Sequence, residues 1–122
     1  MYTPSPAVIY SYQSFPSPTG QGPQTITVDV NAYGYPAEAV AVELLLGCRS
    51  WTDGAYVVAY DGVTGSLDRI AVYPTAPIRN QWAITRGRVE LAGSSFLLLV
   101  RPTGDPVEVI AVLKGYYTEP AT

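Results

Sequence analysis

Few side chains of this sequence could carry out covalent chemistry. Histidine is absent, Cys48 is the sole cysteine, and Ser94 and Ser95 precede a strand with no partner suggested by the sequence. Nucleophilic catalysis needs a base beside the nucleophile. Arg49 could lower the pKa of the Cys48 thiol, but we favour a half-buried thiol at a strand end. One cysteine and no histidine cannot supply the usual zinc ligands, so we predict a protein that is not an enzyme and has no cofactor.

Four aspartates lie in or beside predicted turns: Asp53, Asp61, Asp68 and Asp105. A pair brought close together could hydrolyse a glycoside or bind Ca²⁺ through oxygen ligands. Their spacing matches no calcium-binding loop. Aspartate is common in turns because its side chain hydrogen-bonds nearby backbone. We favour this structural explanation and predict no metal site.

Aromatic residues are the richest feature, with ten Tyr, two Trp and two Phe. Trp51 and Tyr56 flank a predicted turn, and Trp82 follows soon after Arg79. Rings beside amides and carboxylates suit a sugar-binding face, because sugar C–H groups stack on rings while hydroxyls take hydrogen bonds. They equally suit a protein interface, where arginines such as Arg79 could pair with acidic groups of a neighbour. Core and cross-strand packing is the third explanation, and all three stay open.

The composition fits one folded domain. The chain has 122 residues, of which 14% are charged and 48% hydrophobic, and its net charge is −3. This low charge predicts a packed core, and the lack of basic excess argues against a nucleic-acid partner. Aliphatic or aromatic runs such as residues 96–100 and 109–113 are too short to cross a bilayer. The start lacks the basic and apolar regions of a secretory signal, so we expect synthesis in a cytoplasm and no membrane partner.

Residues 1–24 differ from the rest because they hold five prolines, four aromatic residues and no charge. Proline removes backbone donors and favours extended chain. We therefore predict an extended N-terminal arm with one short strand at residues 8–12, followed by a domain at residues 25–122. The arm is either a loosely packed terminus or a segment that lies on a neighbouring subunit. In the second case its aromatic side chains bind a partner; these are Tyr2, Tyr10, Tyr12 and Phe15.

From residue 25 the apolar residues alternate with period two, which is typical of half-buried strands. Ile26, Val28 and Val30 share one face, and similar runs recur roughly every ten residues, as in sandwiches and barrels. Turn signals separate the runs, including those at residues 86–87 and 92–93. The pattern predicts an all-β fold, an antiparallel β-sandwich of about eight strands, of which the jelly roll is one form.

Residues 36–47 fit two structures. Pro36 at the first turn and Gly47 beyond the end are typical of a capped helix. The alternation of Val40 and Val42 instead favours a strand. We predict the strand.

Three segments carry a resemblance to a known family. Residues 35–44 read YPAEAVAVEL, residues 54–62 read GAYVVAYDG, and residues 109–118 read VIAVLKGYYT. Together they resemble an all-β accessory domain common in secreted actinobacterial proteins, including some attached to cell-wall hydrolases. The resemblance covers roughly residues 34–118 and implies a β-sandwich. The chain departs from the family at residues 44–46, where LLL replaces the usual Asn-Val-Thr, and it lacks the family's arginine-rich entry motif and signal peptide.

A surface-type β domain without an export signal, preceded by a Pro/Tyr-rich segment, suggests release by lysis. By fold-level analogy we predict a virion protein of a tailed phage, most specifically a capsid decoration or cement protein. Its partners would be the major capsid protein and its own copies, in a closed oligomer; a trimer fits, although no residue sets that number. The alternative is a glycan- or cell-wall-binding module of a tail tip or accessory domain, with Trp51, Tyr56 and Trp82 as its platform.

Overall fold

The computed structural model describes residues 1–15, 24–50, 55–60, 70–72, 82–102 and 106–119. Within these ranges the chain forms eight β-strands and a 3-10 helix at Val30–Tyr33. The predicted all-β class is therefore confirmed. The strands are β1 (Tyr2–Phe15), β2 (Gln24–Asp29), β3 (Ala41–Arg49), β4 (Tyr56–Tyr60), β5 (Ile70–Val72), β6 (Ala83–Glu90), β7 (Ser95–Arg101) and β8 (Val107–Tyr117).

The described strands form two four-stranded antiparallel sheets. One has the order β1-β8-β3-β6, and the other has the order β2-β7-β4-β5. The pairs β1–β8, β2–β7, β3–β6 and β4–β5 are those of one long hairpin folded back on itself. The pairings β3–β8 and β4–β7 then join these pairs side by side. A hairpin rolled up over two sheets is a jelly roll, so the β-sandwich is confirmed and the jelly roll is its form.

The core lies between the sheets and follows the period-two pattern of the sequence. Val42, Leu44 and Leu46 of β3 are fully buried, and so are Phe96 and Leu98 of β7. Each such side chain contributes about 1.5–3 kcal/mol by leaving water. Because successive side chains of a strand point to opposite faces, this core also fixes which side chains lie outside.

The segment that fitted either a helix or a strand is a strand from Ala41 onward, as predicted. β3 lies inside its sheet and is hydrogen-bonded to β8 on one side and to β6 on the other. Only an extended chain can hydrogen-bond to a neighbouring strand on each side in this way. Pro36 begins a turn, closed by the Ala39 N–H, which donates to the Pro36 carbonyl at 3.1 Å.

The turn predicted at residues 86–87 is wrong, because β6 runs through it without interruption. Gly87 pairs with Leu44 in the ladder between β6 and β3. Glycine is a turn signal only where the backbone is free to reverse, and here the neighbouring strand holds it extended. The turn predicted at residues 92–93 is confirmed: Gly93 has a φ of 66°, and the backbones of Ala92 and Ser95 hydrogen-bond each other.

The start of the chain differs from the expected arm with a short strand at residues 8–12. Tyr2–Phe15 forms β1, which pairs with β8 along its length, and the Phe15 side chain is only 7% exposed. The prolines are accommodated because β1 is an edge strand with register shifts, where a missing N–H is tolerated. Residues 16–23, the rest of the expected arm, lie outside the described residues.

Side-chain contacts also hold β1 in the sandwich. The Tyr35 hydroxyl donates to the Ser5 carbonyl at 2.5 Å, and its ring centroid lies 5.0 Å from that of Tyr116. Burial raises the pKa of Tyr35 to about 12. At the end of the chain, the Met1 ammonium lies 3.2 Å from a Glu119 carboxylate oxygen. Residues 1–15 are therefore a structural part of the sandwich.

Candidate interaction face

The sheet β1-β8-β3-β6 has one side that points away from the core, which we call the outer face. Strand register and alternation from the buried residues assign its side chains. It has an aliphatic centre between two aromatic and charged ends. Its members are Tyr2, Val8 and Tyr12 of β1, Glu108, Ile110, Val112 and Tyr117 of β8, Glu43, Leu45 and Arg49 of β3, Ile84, Arg86, Arg88 and Glu90 of β6, and Trp82 before β6.

One row of aliphatic side chains crosses the first three strands. Val8 pairs with Val112 across β1 and β8, and Val112 pairs with Leu45 across β8 and β3. Side chains paired in this way lie about 4.5–5.5 Å apart at their Cβ atoms. Val8 is 56% exposed, although the core of the sandwich lies directly behind the sheet.

A second row extends the aliphatic surface to β6. Ile110 and Ile84 pair with Gly47 from its two sides. A Cβ atom at Gly47 would meet Ile84 Cγ1 at 3.0 Å, so the glycine lets the Ile84 side chain lie against β3. Ile84 is 56% exposed. Leu45, Ile110 and Val112, which lie between Val8 and Ile84, are half-buried, so the rows form a contiguous and partly exposed apolar surface. Such surfaces mark interaction sites on folded proteins.

At one end of the outer face lies the Trp82 cluster, formed by Tyr12, Arg49, Trp82 and Glu108. The Arg49 guanidinium carbon lies 4.9 Å from the Trp82 ring centroid and 5.4 Å from that of Tyr12. Arg49 Nε donates to Glu108 Oε1 at 2.8 Å, and Arg49 Nη2 donates to the Tyr12 hydroxyl at 2.5 Å. The two rings meet edge to face, with 5.9 Å between centroids. The arginine is therefore fixed between two rings and a carboxylate.

At the opposite end lies the Tyr117 cluster, formed by Tyr2, Glu43, Arg88 and Tyr117. The rings of Tyr2 and Tyr117 lie 4.9 Å apart, and the Arg88 guanidinium carbon lies 4.4 Å from the Tyr117 centroid. The Tyr117 hydroxyl donates to Glu43 Oε1 at 2.7 Å. This hydrogen bond, followed by burial, raises the pKa of Tyr117. Both ends of the face thus combine tyrosine, arginine and glutamate.

The charges of the outer face are neutralised within it. Among the described residues of this face, three arginines pair with three glutamates: Arg49 with Glu108, Arg86 with Glu43, and Arg88 with Glu90. The shortest N···O distances in these pairs run from 2.6 to 2.9 Å. These groups therefore give the outer face no net charge that would attract a strongly charged partner.

The outer side of the second sheet has a different character. Exposed Thr25 and Thr27 of β2 lie at its edge, and the Arg101 guanidinium carbon lies 5.8 Å from the Tyr56 ring centroid. Val58 belongs to this side by register with Leu99, yet it is buried. The side chains of β5 lie outside the described residues.

The structure distributes the predicted partner-binding residues over several places. Tyr2, Tyr12 and Trp82 lie on the outer face, with Tyr12 and Trp82 in contact. Tyr10 and Phe15 pack against each other on the core side, with 5.6 Å between ring centroids. Burial of Phe15 inside the sandwich differs from the partner contact expected for it. Tyr56 lies on the second sheet, and the other two predicted residues, Trp51 and Arg79, lie outside the described residues.

Most of the polar members of the two clusters were not predicted from the sequence as binding residues, namely Glu43, Arg49, Glu108 and Tyr117. Alternation along β3 places Glu43, Leu45 and Arg49 on one side of the sheet, so the sequence does indicate that these three side chains share a face. It does not indicate which residues of β8 lie beside them, because a β-bulge between Leu44 and Glu43 shifts the register of β8 against β3. Alternation within one strand contains no information about such a shift.

Cys48 is a structural residue. Its side chain is fully buried, and burial raises the pKa of the thiol to about 12. Arg49, which we considered as a group that could lower this pKa, points to the opposite face of β3 and pairs with Glu108. A buried thiol held in its protonated form is a poor nucleophile.

The remaining candidate groups also have structural partners or lie elsewhere. The Ser94 hydroxyl donates to Asp29 Oδ1 at 3.1 Å, and Ser95 bonds the Ala92 carbonyl. The four turn aspartates, Asp53, Asp61, Asp68 and Asp105, lie outside the described residues. In the part of the chain that the structure describes, no three His, Cys, Asp or Glu side chains are grouped as metal ligands. That part also contains no helix of the length and apolarity needed to span a membrane.

Comparison with known proteins gives a distant structural similarity. No protein-family model matches the chain, and no curated protein matches it. Among solved structures, the chain is similar to the coat protein of tobacco streak virus, with 14% sequence identity and a TM-score of 0.48. That alignment covers 91% of this chain and 85% of the coat protein. At this TM-score the similarity cannot assign a function, and the resemblance to actinobacterial accessory domains stays a hypothesis.

Proposed function

We propose that this chain is a non-enzymatic structural protein of a virus particle, and specifically that it decorates the capsid of a tailed phage. It would bind the major capsid protein and its own copies, and its location would be the virion. The observation that supports the proposal is the outer face, whose partly exposed aliphatic centre lies between the Trp82 and Tyr117 clusters. Tryptophan, tyrosine and arginine are the residue types that most often dominate binding energy in protein interfaces.

The outer face is suited to binding because its side chains are already held in place. Arg49 is fixed by two rings and Glu108, and Arg88 is fixed by Tyr117 and Glu90. Ordering a side chain on binding costs about 0.5–1.5 kcal/mol, and a preordered face avoids much of this cost. Because β1 is part of the sheet, the proposal assigns particle binding to the outer face instead of a free arm.

Jelly rolls occur in viral capsid proteins, in lectins and in other proteins, so the topology alone does not choose among functions. A glycan-binding module is the second candidate, and the Trp82 cluster favours it. Tyr12 and Trp82 offer ring surface for a sugar, and Arg49 and Glu108 offer a donor and an acceptor beside it. The two candidates differ in the size of surface required: a sugar would need the cluster alone, whereas a protein would also cover the aliphatic centre.

The test is to measure whether the purified chain co-sediments with capsids of the phage that encodes it, and whether mass spectrometry finds it in purified particles. Wild type and the control variant Thr27→Arg, on the second sheet, should bind, whereas Ile84→Arg and Trp82→Ala should bind at least tenfold more weakly. Absence from particles together with no capsid binding would contradict the proposal. Pull-down by cell-wall polysaccharide that Trp82→Ala abolishes and Ile84→Arg preserves would establish the glycan alternative.

A further inference from the structure

We propose that the outer face packs against the outer face of a second copy of this chain around a two-fold axis, with Leu45 and Val112 at the centre of the contact. This inference rests on the proposed structural function and names the surface used for self-association of the free chain; on the particle, the capsid protein would replace the second copy on the same face. In such an isologous contact, each copy contributes the same residues.

The charge arrangement supports a second copy as the partner. Like charges placed opposite each other would cost several kcal/mol, and the chain has a net charge of −3. On the outer face, however, the three described ion pairs cancel locally. Two outer faces can therefore approach without net repulsion between these groups, whereas a basic or acidic partner would gain nothing from them.

The area of the outer face matches what a stable dimer needs. Four strands spaced about 4.8 Å apart, with about nine residues each, cover roughly 600 Å² in projection, and β3 has nine residues. The accessible surface of protruding side chains exceeds the projection. A standard interface buries about 800 Å² per partner. The whole outer face can supply this area, whereas part of the face would be too small.

The shape of the outer face also favours a second copy as the partner. Sheets pack face to face at about 10 Å with strands inclined by about 30°, so a second sheet with the same aliphatic centre can pack against this one. Leu45 lies at the middle of β3, and Val112 is its neighbour on β8. β3 and β8 are the two central strands of the sheet. Any two-fold axis that covers the whole face therefore brings these residues close to their copies.

Sedimentation velocity over a concentration series tests the proposal directly. Wild type should form a dimer of twice the 13.1 kDa chain mass. Ile84→Arg and Val8→Arg should each weaken dimerisation by about 30-fold or more, because each places an uncompensated charge in the contact. Both side chains are 56% exposed, so the substitutions should leave the circular dichroism spectrum nearly unchanged.

Thr27→Arg is the matched control, since it adds the same charge at an exposed strand position of the second sheet. It should dimerise like wild type. Three results would overturn the inference. The first is a wild-type chain that is still monomeric at about 100 µM, because its self-association would then be weaker than that of standard interfaces. The others are an oligomer other than a dimer, and equal effects of the arginine substitutions on the two sheets.

Cysteine cross-linking locates the axis. Leu45→Cys should give a covalent dimer under mild oxidation, whereas Thr27→Cys should stay monomeric on a denaturing gel. The native Cys48 is fully buried and does not interfere. Equal cross-linking of both variants would show that the outer face is not the contact.

Capsid co-sedimentation separates this inference from the proposed function. A wild-type monomer that still binds capsids would overturn the dimer and leave the structural function intact. A dimer that Ile84→Arg disrupts, in a chain absent from particles, would confirm the self-contact and contradict the structural function.

Discussion

The Arg49 guanidinium stacks on the Trp82 ring, with 4.9 Å between its central carbon and the ring centroid, while Arg49 Nε donates to Glu108 at 2.8 Å. These side chains come from β3, from the residue before β6 and from β8, so the contact exists only when the sheet has formed. The contact stabilises the sheet, and its partly exposed position at the end of the outer face makes it a recognition group in the proposed function.

Replacement of Trp82 by alanine separates these two roles. A partly exposed cation–π contact contributes about 0.5–1 kcal/mol, so Trp82→Ala should lower the free energy of unfolding by only about 1 kcal/mol in urea titration. Binding to capsids should fall at least tenfold. Trp82→Phe, which keeps a ring, is the control and should lose less. Unchanged capsid binding by Trp82→Ala would remove the cluster from the proposed contact.

At Gly115 of β8, β1 leaves no room for a side chain. A Cβ atom there would overlap the Thr3 carbonyl oxygen and the Tyr2 ring. Since the Thr3 oxygen belongs to the backbone, β1 must shift, and Gly115→Ala should cost about 1–3 kcal/mol. Thermal unfolding measures the loss. The adjacent Lys114→Ala should change stability by less than about 0.5 kcal/mol. An equal loss of stability in Lys114→Ala and Gly115→Ala would contradict the steric explanation.

Removal of the Tyr35 hydroxyl tests how β1 is held. Tyr35→Phe leaves the Ser5 carbonyl without its donor and should cost about 1 kcal/mol. Burial raises the pKa of Tyr35 from 10.0 to about 12, so its contribution is complete below pH 10 and is lost as pH rises toward 12. The stability difference between wild type and Tyr35→Phe should narrow over that window. Tyr33→Phe is the control; a difference independent of pH would contradict this account.

The Cys48 thiol should react only when the protein unfolds. Burial raises its pKa from 9.0 to about 12, so stability from the protonated thiol is complete below pH 9 and is lost as pH rises toward 12. Labelling with a thiol reagent near neutral pH should therefore follow global unfolding in urea. Thr27→Cys provides an exposed thiol on the second sheet that should react at once. Rapid labelling of Cys48 in the folded wild type would contradict its structural role.

Deletion of residues 1–15 should unfold the sandwich. The deletion removes all of β1, including the buried Phe15, and exposes the edge of β8. Loss of the Phe15 ring alone should cost about 3–5 kcal/mol, which is comparable with the total stability of a small domain. Circular dichroism and thermal melting measure the outcome, with Phe15→Leu as the milder control. A deleted chain that melts cooperatively near the wild-type temperature would restore the free-arm interpretation.

Strand positions were predictable from the sequence wherever alternation was regular. On β3, Val42, Leu44 and Leu46 point inward as the period-two pattern requires, and this pattern outweighed the helix signals of Pro36 and Gly47. The turn predicted at Gly87 is wrong because glycine in a paired strand has the same local sequence signal as glycine in a turn.

The first strand and the outer face were not predictable in the same way. The prolines of β1 indicate extended chain, but only pairing with β8 shows that the segment belongs to the sandwich. The contact of Arg49 with Trp82 depends on strand order, and the contact of Tyr117 with Glu43 depends on a bulge. Both are properties of long-range pairing, which no short window of sequence specifies.

β8 lies between β1 and β3, and this order determines how the chain can fold during translation. β1 is made first, yet its hydrogen-bonding partner is residues 107–117, so its edge and that of β3 stay open on the nascent chain until those residues leave the ribosome. Such distant pairings close slowly, and open strand edges invite aggregation. Completion of this sheet is therefore a late event, and ribosome-bound chains stalled before residue 107 should depend on chaperones for solubility.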